Sequence, residues 1–157
     1  MKLPLGAALA AALFLCASVA SAIPAARIQQ IDAQVEQRFR YVLPPDGLPD
    51  PENVSSLRAV RAGRAWTGDC DDLAITTLDA LAQSGVPRDR MKALFVAVVA
   101  DGRVLGFHLI GVVTDDEGRG WVVGDTITTP FPAAALPATP YVVLEERPFA
   151  RIRVARR

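Results

Sequence analysis

Between Met91 and Thr128 the apolar residues change period, and that change limits the chain to a small set of folds. MKALFVAVVA, the dipeptide Asp101-Gly102, and RVLGFHLIGVV read as two β-strands joined by a two-residue hairpin. DDEG supplies a second turn, and GWVVGDTIT a third strand. Upstream of it, two segments read as helix. From Pro24 to Tyr41, Ile28, Ile31, Val35 and Phe39 recur at three- and four-residue intervals, which is one stripe of an amphipathic helix. LPPDGLPDPENVS is a loop by its Pro, Gly and Asp content, and Leu57 to Ala65 carries no clear pattern. A second helix begins near Cys70, with Thr67 or Asp69 as cap, Leu73, Thr77, Leu78 and Leu81 facing the core, and Gly85 and Pro87 as its stop. A Pro-rich link, FPAAALPATP, leads to YVVLEER and a final apolar-alternating segment, FARIRVA. Helices first and an antiparallel sheet after them make an α+β domain.

The start of the chain has the form of an export signal. Lys2 opens a basic region, Leu5 to Val19 is apolar and too short to span a bilayer comfortably, and Ala20-Ser21-Ala22 suits a signal peptidase. Residues 1–22 are thus expected to be a signal peptide, with a mature domain over 23–157 that begins at Ile23 and is periplasmic or secreted. Large Leu15 before Cys16 argues against lipoprotein processing. The leader takes only Lys2 from a balanced charge tally, so nothing marks a nucleic-acid or anionic-membrane partner. No membrane insertion is expected once the leader is gone, and the oligomeric state stays open.

The domain retains one cysteine, Cys70 in WTGDCDDLA, and one histidine, His108. They form a nucleophile and base without competitors. A four-residue loop at Asp115–Gly118 would pair Thr114 with Arg119 and bring His108 opposite Asp125. Opposed residues share a face, so the carboxylate could take the Nδ1 proton and leave Nε2 facing outward. A slip of one residue would part them. At a helix N-terminus, Cys70 lies near unpaired N–H groups and the positive end of the helix dipole, which favour thiolate and suit an oxyanion. Asp69, Asp71 and Asp72 oppose this with negative charge. An inert core thiol, a satisfied core imidazole and a turn-forming Asp125 are the plain alternatives for each residue taken singly.

These pieces resemble the bacterial transglutaminase-like cysteine proteinases, relatives of the transglutaminase core within the papain-like fold. The matching blocks are GDCDDLA (68–74), FHLIGVV (107–113) and WVVGDTI (121–127), with IDAQVEQRFRYVLPPD upstream. The resemblance implies a papain-like/transglutaminase-like core with Cys70 as nucleophile, His108 as general base and acid, and Asp125 as the orienting carboxylate. It also implies a periplasmic or cell-surface protein substrate. Members that cleave surface adhesins bind calcium through acids flanking the cysteine, which here are Asp69 and Asp71; the chemistry itself requires no cofactor. Asp71 stands where the family's Glu is usual, Phe107 where a small residue is frequent, and Leu73 where an aromatic is common. The expectation is an exported cysteine peptidase or amidase working through a thioester. A transglutaminase-type acyltransferase, a non-catalytic binding module on the same fold and a structural protein with a buried thiol are the alternatives.

Overall fold

The computed structural model describes residues 23–42, 54–126 and 130–156. The expected signal peptide, the loop over 43–53 and the end of the third expected strand lie outside the described residues.

Helix α1 (Ala25–Glu36) buries Ile28, Ile31 and Val35, the stripe read from the sequence. It stops at Glu36, short of the expected Tyr41. Phe39–Tyr41 forms strand β1, because Phe39 packs on Trp66 with ring centroids 4.6 Å apart. Short strand β2 (Val54–Ser55) and helix α2 (Leu57–Arg61) follow, the latter in the patternless stretch. Strand β3 (Trp66–Gly68) pairs in parallel with β1 and delivers the chain to α3 (Cys70–Gln83).

Helix α3 is the centre of the molecule, with every residue from Leu73 to Leu81 buried. Asp69 is its cap. The Asp69 side chain accepts from the Asp72 backbone and Asp72 reaches back to the Asp69 N–H, satisfying two groups that a helix start leaves open. Its flanks are held by polar bonds as well as by packing. Ser55 Oγ donates to Asp79 at 2.9 Å, and the Ser56 N–H donates to Thr76 Oγ1 at 2.9 Å.

The sheet is antiparallel, with order β7-β6-β5-β4-β8. β4 (Met91–Ala100) and β5 (Arg103–Thr114) form the expected hairpin, with Asp101 at φ 51° and Gly102 at φ 71° in its two-residue turn. β6 is Gly120–Val123, β7 is Phe131–Pro132, and β8 (Tyr141–Pro148) crosses the sheet to pair with β4. β9 (Ala155–Arg156) returns to run parallel to β2.

Alternation sorts the strands into two cores. Met91, Ala93, Val113 and Val123 face α1 and α3, while Leu94, Val96, Ile110, Val112 and Val122 face the 3-10 turn at Ala133–Ala138. The α+β class and the antiparallel sheet behind the cysteine helix are as the sequence reading expected.

Candidate active site

The three residues singled out in the sequence come from three elements. Cys70 is the first residue of α3, His108 lies in β5, and Asp125 follows β6. His108 and Asp125 are almost fully buried, and Cys70 is half-buried with a free thiol.

His108 Nε2 lies 3.0 Å from Asp125 Oδ1. This corrects the expected orientation: the carboxylate takes Nε2, which leaves Nδ1 as the ring nitrogen for Cys70. Burial works against charge on the ring. Hydrogen bonds to Asp125 and to Cys70, with the charges of both, outweigh it and push His108 up to about 9. Near neutrality the imidazole is therefore an imidazolium.

The route by which Asp125 arrives differs from the one expected. The turn after β5 holds five residues, Asp115 to Arg119, so that Thr114 pairs with Gly120 and Gly111 with Val123. That is a slip of one residue, which in a continuing strand would turn Asp125 away from His108. β6 ends at Val123, however, and Gly124 adopts φ 62°. This left-handed residue breaks the alternation and brings the next side chain back to the imidazole. It also sits against the helix, since a Cβ at Gly124 would lie 2.7 Å from the Ala74 Cα.

Asp125 is held from further directions. The Tyr141 hydroxyl, at the start of β8, straddles the carboxylate at 2.9 Å from Oδ2 and 3.1 Å from Oδ1. Burial and the adjoining carboxylate raise Tyr141 above the ordinary phenol value, so it stays a donor. The sequence reading missed this residue. Its only signal was a tyrosine opening a strand, and nothing local shows that β8 pairs with β4. Behind the turn, Asp32 of α1 accepts the Gly124 N–H at 2.7 Å. An acid inside an apolar helical stripe was the available sign of that bond.

On the other side of the thiol, Asp69, Cys70 and Asp71 each offer a ligand atom, all within 4.8 Å of one another. Asp69 is buried and its Oδ1 has no hydrogen-bond partner. Burial, the hydrogen bond to Asp69 and the charges of Asp69 and Asp72 push Asp71 up to about 8. Of these carboxylates, Asp69 and Asp71 form no ion pair with a basic side chain among the described residues, and a hard cation would relieve their repulsion. Two of them supply part of a calcium shell of six or more oxygens. Tyr41 of β1 lies nearby, and burial together with Cys70, Asp69 and Asp71 raises its hydroxyl.

A free thiol at a helix N-terminus, with a charged imidazole held by a fixed carboxylate, suits acyl transfer through sulfur. Solved structures share this architecture. The fold resembles that of LapG. Legionella pneumophila LapG matches over 76% of this chain and 62% of its own, with a TM-score of 0.56 and 21% identity. The calcium-bound LapG structure gives a TM-score of 0.57 at 20% identity, covering 76% and 62% of the two chains. The EGTA-treated LapG gives 0.52 at 23%, covering 73% and 59%. The chain thus spans about three-fifths of the length of the LapG structures it matches. No protein-family model and no curated protein sequence matches it. The likeness establishes a LapG-like α+β fold. Among the described residues no helix is long and apolar enough to cross a membrane.

Proposed function

We propose that this chain is an exported cysteine peptidase acting on a periplasmic or cell-surface protein, with Cys70, His108 and Asp125 as its catalytic triad. The observation that carries the reading is the buried His108–Asp125 pair, with Cys70, at the first turn of α3, in hydrogen-bonding reach of the same imidazole. The LapG-like fold supports the same chemistry. The Cys70 sulfur, as thiolate, attacks a peptide carbonyl carbon. The oxyanion forms where the helix presents its first N–H groups, that of Cys70 foremost. His108 then gives its proton to the departing amine nitrogen, the C–N bond breaks, and a thioester remains. The neutral imidazole takes a proton from water as that water attacks the thioester, releasing a carboxylic acid and restoring thiolate and imidazolium. Asp125 keeps the ring oriented throughout and stabilises its charged form.

Calcium is part of the proposal, since LapG itself has been solved calcium-bound and EGTA-treated. Asp69 and Asp71 would hold the ion through carboxylate oxygens, the unpartnered Asp69 Oδ1 among them. Its role would be to neutralise the acids beside the thiol and fix the start of α3. Residues 1–22 would be the leader, removed after Ala22.

Thiol alkylation tests the site without a known substrate. Iodoacetamide should label Cys70 rapidly in the folded protein at neutral pH. His108→Ala should suppress that reaction; equal labelling in the variant would reject the triad. Chelation with EGTA should lower the melting temperature of the wild type and leave Asp69→Ala unchanged. A melting curve insensitive to chelator in both proteins would remove calcium from the reading.

A further inference from the structure

We propose that Asp32 and Glu36 of α1 form a positioning pair for the site: Asp32 pins the Gly124–Asp125 turn by its bond to the Gly124 N–H, and Asp125 thereby faces His108. The inference rests on the proposed triad for its meaning, but its readout needs no catalysis.

The register makes such a device necessary. β6 has the wrong phase to present Asp125 to His108, and only the left-handed Gly124 corrects it. A glycine chosen for conformational freedom does not hold one conformation by itself. Two restraints do so. From one side Ala74 of α3 blocks the turn, and from the other the Asp32 carboxylate accepts its N–H at 2.7 Å. This bond joins residues 92 apart in sequence, so it locks the first helix to the loop that carries Asp125.

Asp32 is 1% exposed, in a helix whose neighbouring core positions are isoleucine and valine. An apolar residue would pack there without the penalty of a buried carboxyl, so the acid is explained by what it binds. Glu36 lies one turn further along the same face and hydrogen-bonds Asp32. Burial, with the Asp32 charge and the bond to Asp32, pushes Glu36 up to about 8. Burial also raises Asp32, to about 6, against the lowering effect of its bonds from Gly124 and Glu36. Asp125 is the other acid acting on both. At neutral pH the pair therefore carries one shared proton. Glu36 donates it, and Asp32 remains an acceptor for Gly124. The outer oxygens, Asp32 Oδ2 and Glu36 Oε1, have no hydrogen-bond partner.

His108 is the only histidine in the sequence, so a proton NMR titration of its ring reads this arrangement directly. The wild-type ring should titrate near 9. Asp32→Leu keeps the side chain's branching and heavy-atom count but removes the acceptor. Asp125 then drifts from the imidazole, and the midpoint should fall by about one pH unit, a tenfold loss in proton affinity. Asp32→Asn removes the charge while its amide oxygen still accepts the Gly124 N–H, so its midpoint should match the wild type. A folded Asp32→Leu with an unchanged midpoint overturns the proposal. So does an Asp32→Asn whose midpoint falls as far as that of Asp32→Leu, because charge and not the bond would then be acting. If Asp32→Leu does not fold, Asp32→Asn decides alone: slow hydrogen exchange at the Gly124 amide with an unshifted ring supports the pin, and fast exchange or a lowered midpoint refutes it. Failure of alkylation at Cys70 with these midpoints as expected would count against the peptidase reading and not against the pair.

Discussion

Replacing Gly124 by alanine should damage this protein far more than the same change at an ordinary left-handed glycine. Two penalties combine there. The backbone at φ 62° is disfavoured for any residue with a Cβ, by about 1–2 kcal/mol. The new methyl group also lies 2.7 Å from the Ala74 Cα, which is main chain in a helix that is buried along most of its length and cannot swing aside. Forcing extra volume into such packing costs about 1–3 kcal/mol. The expected loss is therefore about 2–5 kcal/mol. Gly102 is the control, because its φ is 71° with nothing within 4 Å of an added Cβ, so alanine there meets the backbone term alone. Urea unfolding followed by circular dichroism measures both variants. With a slope of about 2 kcal/mol per molar, Gly124→Ala should unfold about 1 M earlier than Gly102→Ala. Midpoints within about 0.2 M of each other would refute the claim that the turn is wedged against α3.

Two other changes test neighbouring parts of the site. Tyr141→Phe removes the hydroxyl that straddles Asp125. It should destabilise the chain by about 1–3 kcal/mol in the same urea assay and slow Cys70 alkylation; a variant unchanged in both would deny Tyr141 any part in holding the carboxylate. Asp115 organises the turn that sets the β5–β6 register, accepting from the Glu117 and Arg119 backbone, Arg119 Nε and Trp121 Nε1. Burial alone would raise it, but those bonds hold it down at about 2 against an ordinary 3.8. Its stabilisation is therefore complete above about pH 4 and lost as the pH falls toward 2. Asp115→Asn should flatten the acid limb of a stability–pH curve below pH 4, and an identical limb in both proteins would contradict this.

Local pattern made much of the frame legible. The α1 stripe from Ile28 to Val35, the Asp69 cap before Cys70 and the Asp101-Gly102 hairpin each depend on residues close together in sequence, and each formed as expected. The third strand shows the limit. Pairing was extrapolated from a four-residue turn, whereas Asp115 gathers five residues around its carboxylate and moves the ladder by one. Asp125 nevertheless meets His108, by a glycine turn and not by the anticipated opposition across the strands. Phe39 followed the helical spacing but chose Trp66, a contact made only once β3 lies alongside. Tyr141 and Asp32 reach the site from far along the chain, through pairings that no local period encodes.

Cys70, His108 and Asp125 belong to elements that are separated in sequence and meet only when the sheet closes over the central helix. A chain still emerging from the ribosome carries a thiol with no imidazole beside it. Such a sulfur has the ordinary reactivity of a free cysteine. Whatever cutting power the finished protein has is therefore withheld from its maker by topology.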